Sequence, residues 1–558
     1  MKKLVLLLVL AALALAGCES EEVTKFEASD VTDISGPTIG NGASTEVWAV
    51  TNAWADKDTP AARKAGVAWE ENSGLTWEQK FSAWVESFEQ MPREGWGGDT
   101  IAIPTPWGDK VLPGPTLECA EVAYMLRATF ASWYNLPFFV RGWDSTSKQT
   151  IFVGHFGFVN ASGQPVGSFP LFKSRYKDFT STWKLGDPWP SDSVLRSRRL
   201  ASDDTVGFLT GPNGEEYGAG AYFDELFLNK RTGHFMRLLL LYFGSVNLAD
   251  GSNMFHIKPE VMRGGDVLIE RWQKKGIGHV IPVLRVTSPI EGKLAAEVAS
   301  GSMPRRQPVY EDALRSRRYF TLDYTGGVGE ASDGTPYAKL GGGIRRWRTA
   351  VLKGGRWINE VLPGDKPNAI ADSDLEAISA RPARFEEILI SGSVSEQKTA
   401  LVSVIQSARA HLSKYPASCS ARDNREKAFE QLYKLAGALG TTREALDDEL
   451  RTLDDYVFAP LVYEQSKTCC WNSTDAAMAE IVLDYARVER EEAEANQTCV
   501  EPTVFRSRTD GYDTWRKHAE SLGRSAEWKA WSEDEPCAQR AVAQDTEKEF
   551  GAAPYCSN

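Results

Sequence analysis

Cys119 stands where a nucleophile would. The chain reads Gly114-Pro115-Thr116-Leu117-Glu118-Cys119-Ala120-Glu121-Val122-Ala123. Cys119, Val122, Ala123, Leu126, Phe130 and Trp133 recur at the spacing of one helical face. Pro115 and Thr116 suit the start of a helix, which puts the thiol in the first turn. There the macrodipole and the free N–H groups favour thiolate and can hold a developing oxyanion. Glu118 and Glu121 work against thiolate, so a further activator is required. Taken alone, a cysteine on an apolar helical face is more often packing than catalyst, but a histidine changes that balance. His279 opens an apolar strand, Gly278 to Val286, after a Gly264-Gly265 turn and a short strand to Ile269. A third apolar run, Leu294 to Ala299, lies beyond the turn residues Ser288-Pro289-Ile290-Glu291-Gly292. A hairpin centred near Ser288 would set Glu297 opposite His279, with Cβ atoms about 4.5–5.5 Å apart. The carboxylate would orient the imidazole, whose other nitrogen could take the thiol proton. Without Cys119, His279 reads as a strand-end cap and Glu297 as a solvated acid. Arg305 and Arg306 follow closely and could hold a substrate carboxylate with bidentate bonds.

In this order the residues resemble a known family. The helix-opening Cys119, then Leu136-Pro137, Gly265-Asp266-Val267 and Gly278-His279-Val280, are similar to the papain-like cysteine hydrolases of the NlpC type. The resemblance implies an α+β papain-like core with Cys119 as nucleophile, His279 as base and Glu297 as the orienting residue. A weaker likeness to the cysteine helix of transglutaminase-like proteins rests on Cys119-Ala120-Glu121, Leu126-Arg127-Ala128, Leu136-Pro137 and Val140-Arg141-Gly142. The His-Ala-Trp strand of that group is missing. Two features depart from the NlpC pattern. The long stretch between Cys119 and His279 implies a large insertion, over about 145–255, and Glu replaces the usual His, Asn or Gln as third residue. The implied activity is hydrolysis of amide bonds, as in the stem peptides of peptidoglycan, without a cofactor. The alternative is a non-catalytic envelope lipoprotein that uses a papain-like scaffold and a helical domain to bind partners.

The compartment follows from the first residues. Lys2 and Lys3 precede an apolar run from Leu4 to Ala16, too short for a bilayer, which takes about 20 apolar residues. Leu15-Ala16-Gly17-Cys18 resembles a bacterial lipobox, which implies cleavage before Cys18 and its acylation. Several acyl chains make a stable membrane anchor. Glu19 fits outer-membrane sorting in a host that has such a membrane. The expected location is therefore the bacterial cell envelope, lipid-anchored and facing an oxidising space. In that space Cys419, Cys469, Cys470, Cys499, Cys537 and Cys556 are expected to form three disulfides. Neighbours Cys469 and Cys470 would belong to different bridges, and Cys119 is left unpaired. No histidine stands near these cysteines at ligand spacing and no His-Glu-x-x-His occurs, so no metal is expected. A net charge of −13 disfavours nucleic acid as a partner.

Elements must position these residues. Trp48, Trp54, Trp69, Trp77 and Trp84 lie at helical spacings between Val47 and Gln90 and are expected to build a core. Residues 264 to about 360 read as strands and hairpins, with a glycine-rich mobile loop or hairpin from Leu322 to Gly343. Beyond Pro363-Gly364-Asp365-Lys366-Pro367 the pattern turns helical. The expected organisation is a signal peptide over 1–17 and a flexible lipidated tether over 18–45. A papain-like domain follows over 46–365, then an all-α, disulfide-stapled domain over 366–558 that could bind an envelope partner. His155 and His234 read as packed histidines, His256 as a residue of the same cleft, and His411 and His518 as exposed.

Overall fold

The computed structural model describes residues 31–450, apart from 94–97, 168, 275–277, 304, 332 and 415–418, and part of 481–528. The fold is mixed α/β, with 35% helix and 23% strand, and divides into two units, Met1–Ile390 and Ser391–Asn558.

Seven antiparallel strands form the main sheet of the first unit. They are β1 (Met254–Ile257), β2 (Val267–Glu270), β3 (His279–Ile290), β4 (Lys293–Ser300), β5 (Val309–Glu311), β6 (Gly343–Trp347) and β7 (Ala369–Ile370), in the order β5-β4-β3-β2-β6-β1-β7. Alternate residues of β3 enter different cores. Val280 and Leu284 pack with helix α2 (Cys119–Trp133). Ile281 and Val283 pack with Tyr319 and Phe320 of helix α4 (Ala313–Phe320) and Phe385 of helix α5 (Arg381–Ile388). The sheet is thus covered on both faces, which explains its run of buried apolar residues.

Aromatic packing sets the depth of α2. Phe130 meets Trp54, Trp69, Trp77, Phe81 and Trp84 at ring-centroid distances of 5.4–6.3 Å. The indole N–H groups of Trp48, Trp54 and Trp84 donate to the carbonyls of Leu136, Pro137 and Pro104 at 2.8, 2.6 and 3.0 Å, so each ring is buried with its polar end satisfied. Arg127 of α2 donates twice to Glu78 of helix α1 (Trp77–Glu86), at 3.1 and 2.7 Å, and stacks 3.5 Å over Trp54. The tryptophan core is as expected, but the helical reading of 47–90 holds only at Pro60–Arg63 and α1. The intervening chain follows its turn formers, Asn52, Asp56 and Asp58, rather than its tryptophan spacing.

The stretch over 145–255 packs into the same core: Phe235, Met236 and Leu239 of helix α3 (Lys230–Tyr242) lie with α2. One boundary differs from expectation. Residues 366–390 belong to the first unit, because β7 pairs with β1 and Phe385, Ile388 and Leu389 close the second face of the sheet. Among the described residues, the glycine-rich stretch contains no strand before Gly343. It leads into β6, where a Cβ on Gly343 would collide with the Arg381 guanidinium.

In the second unit, helices α6 (Val394–Lys414), α7 (Cys419–Leu435) and α8 (Arg443–Leu450) pack through Leu401, Val404, Ile405, Phe429, Leu432 and Leu446. His411 is buried there rather than exposed. Cys18, Cys469, Cys470, Cys499, Cys537, Cys556 and the side chain of Cys419 lie outside the described residues.

Candidate active site

The segment before Cys119 starts a helix as its residues suggest. Glu118 is the N-cap of α2, and its backbone N–H donates to Glu121 Oε2 at 2.7 Å. An acid three residues into the helix closes the first turn in this way, and Cys119 becomes the first helical residue. Just upstream, Leu117 and Arg306 exchange backbone bonds of 3.0 and 3.3 Å, which ties the helix start to the chain beyond β4.

The thiol meets the first residues of β3. Sγ lies 3.8 Å from the carbonyl oxygen of Gly278 and accepts from the backbone N–H of Val280. These two residues flank His279, so the helix-start thiol converges on the backbone on either side of the strand histidine, whose side chain shares the face of Ile281 and Val283. The convergence is possible because β3 and β4 pair only from Val283 and Val298 onward, leaving this part of the β3 edge to α2. Gly278 makes the turn fit: a Cβ there would collide with the carbonyl oxygen of Glu270, and its N–H donates to Ser245 Oγ at 2.8 Å.

Glu297 does not face His279. Register pairs Arg285 with Glu297 and Ile290 with Lys293, with irregularities on both sides of Arg285–Thr287. The hairpin turns at Glu291-Gly292 rather than near Ser288, and Glu297 binds Arg285 at 3.0 Å. Opposite His279 stands Glu270 of β2, itself buried. Directly paired residues project to the same face, and on it the ring of Tyr319 lies 6.3 Å from that of His279.

Tyr319 opens a buried polar cluster. Its hydroxyl donates to Glu311 Oε1 at 2.8 Å, and Arg318 holds the same carboxylate with bonds of 2.5 and 3.1 Å. Arg305 and Arg306 part company here. Arg305 Nη2 lies 2.8 Å from Glu121 and 3.1 Å from Glu118, and Nη1 lies 3.0 Å from Asp203. It is committed to acids of its own chain, which corrects its expected role in substrate binding. Arg306 instead feels the charges of Tyr319, Glu311 and Cys119.

Electrostatics oppose a resting thiolate. Burial, reinforced by the Glu118 carboxylate, pushes the Cys119 thiol up to about 12 despite backbone N–H bonds from Val280 and Ala120. Burial and Glu121 push Glu118 up to about 7, although Arg305 draws it back. The N-terminal field of α2 is the weaker influence. Among the described residues, no group of His, Cys, Asp and Glu is placed to hold a metal ion. His256 lies on β1, separated from β3 by two strands, with Nε2 2.6 Å from Arg345 Nη2, so it lines no part of this site. His155 bonds the Phe138 carbonyl at 2.9 Å and His234 stacks on Tyr176 at 3.7 Å, both as packed histidines.

No protein-family model, curated protein or solved structure matches this chain. The residues that sequence reasoning missed are Glu270, Tyr319, Glu311 and Arg318. Glu270 had a signal, since it ends the strand before the turn that Gly278 closes. Arg318 had none: its two basic neighbours Arg315 and Arg317 make it look solvated.

Proposed function

We propose that this chain is a lipid-anchored cysteine hydrolase of papain-like type that cleaves amide bonds in peptides, those of peptidoglycan stems among them. The contact of Cys119 Sγ with the Gly278 carbonyl at 3.8 Å carries the reading, because it sets a helix-start thiol against the neighbour of His279. Cys119 is the nucleophile, His279 the base, and Glu270 the orienting acid in the role first given to Glu297. With the thiol pushed up to about 12, no preformed thiolate–imidazolium pair rests in the site. The proton passes from sulfur to His279 as the C–S bond forms. The C–N bond then breaks and the leaving amine takes that proton. Water, deprotonated by the same imidazole, cleaves the thioester to release the acid and the thiol. First-turn N–H groups of α2 support the oxyanion. The lipobox, outside the described residues, would hold the enzyme at a membrane surface within reach of the cell wall.

The test is release of new amino groups from a peptidoglycan digest. The wild-type chain should release them, Cys119→Ala and His279→Ala should lose at least ~100-fold, and Glu297→Gln should stay close to wild type. No release by the wild type, or equal release by Cys119→Ala, overturns the proposal. The burial of the thiol favours a second reading, a non-catalytic lipoprotein whose polar cluster is structural and whose Ser391–Asn558 unit binds an envelope partner.

A further inference from the structure

The amino end of α2 has two sides of opposite charge. On one, Arg305 is shared among Glu118, Glu121 and Asp203. On the other, Arg306 lies near Arg318 and Arg93. The acid there, Glu311, is already held by Arg318 and by the Tyr319 hydroxyl. Arg306 is 8% exposed. Among the described residues it forms no ion pair, and its Nε has no hydrogen-bond partner. A guanidinium removed from water without an anion is costly by several kcal/mol. The backbone bridge between Leu117 and Arg306 ties this residue to the segment that enters a 15-residue helix, whose macrodipole also favours negative charge at that end.

We propose that Arg306 and the amino end of α2 form a carboxylate-binding site, which takes a carboxylate of the peptide presented to Cys119. The planar fork of Arg306 suits two parallel bonds to such a group, and its fixed position limits the entropy lost on binding. Only the word substrate rests on the hydrolase reading; the site itself needs Arg306 and the helix end.

The experiment uses the full chain carrying Cys119→Ala, so that binding is measured without turnover. Three probes are titrated by calorimetry: N-acetyl-alanine, the neutral N-acetyl-alaninamide, and N-acetyl-aspartic acid amidated at its C-terminus. At least one acid should bind tenfold or more tightly than the amide, and which acid does so tells a terminal carboxylate from a side-chain one. Arg306→Gln should reduce that acid to the level of the amide, and Arg306→Lys should restore part of the difference. Equal affinity for acids and amide overturns the site, as does a preference that survives Arg306→Gln. If Arg306→Gln does not fold, the acid-to-amide ratio in Cys119→Ala decides, and a ratio near one overturns the proposal. A wild-type chain that binds the acid but releases no amine from peptidoglycan would sink the hydrolase reading alone.

Discussion

A protonated thiol beside two acids has a chemistry that one carboxyl group can tune. The charge of Glu118 raises the Cys119 thiol, so Glu118→Gln should lower it and speed iodoacetamide labelling at pH 8 several-fold, with Cys119→Ser as the silent control. An unchanged rate would leave burial as the sole cause. The same carboxyl leaves a mark on stability. Its folded value, about 7, lies above its ordinary 4.5, so between these the folded chain holds the extra proton. The stability this confers is complete below about 4.5 and is lost as pH rises through about 7. In urea denaturation from pH 5 to 8, Glu118→Gln should lose roughly 1–3 kcal/mol less than wild type. The opposition between Glu118, Glu121 and the thiol was legible in the sequence because these groups are within three positions of one another. The depth of burial that makes it decisive was not, since it depends on what β3 and the chain beyond β4 lay over the helix start.

At the scale of elements, register governs the site. The residues Ser288 and Pro289 carry turn chemistry, yet they lie in the exposed end of β3, where a missing N–H is tolerated. That displacement, with the irregularities beside Arg285, takes Glu297 away from His279 and gives it to Arg285. The pairing of β2 with β3 supplies Glu270 instead, and Gly278 lies close against the Glu270 carbonyl. Gly278→Ala should cost about 1–3 kcal/mol in urea denaturation through overpacking against Glu270. A loss below about 0.5 kcal/mol would mean that the turn yields and that Gly278 does not fix His279. The start of α2 was legible from Pro115 to Glu121, because a cap and its N3 partner are local. The alternation of β3 was equally legible, whereas its partner strand was not.

Across the whole molecule, the first unit ends where its sheet is covered rather than where its composition changes. Proline and glycine at 363–367 suggest a linker, but Ile378, Phe385 and Ile388 beyond them are buried. A chain ending at Ile390 should unfold in one transition with the midpoint of the first unit in the full protein. A chain ending at Asp365 should be less stable by at least about 4 kcal/mol, because it lacks three buried apolar side chains and exposes the face of the sheet that they cover. Equal midpoints for the two truncations, read by circular dichroism, would return the boundary to 365. The sequence by itself determined the helix that opens at Cys119, the apolar strand that opens at His279, the tryptophan core and the helices described in the second unit. Spacing and capping act within a few residues, so they can be read from the chain alone. Only the tertiary structure decided that Glu270 faces His279, that Arg305 and Arg306 part company at one helix end, and that the thiol is buried. Those outcomes depend on strand register and burial between distant segments, where a shift of one residue exchanges every partner.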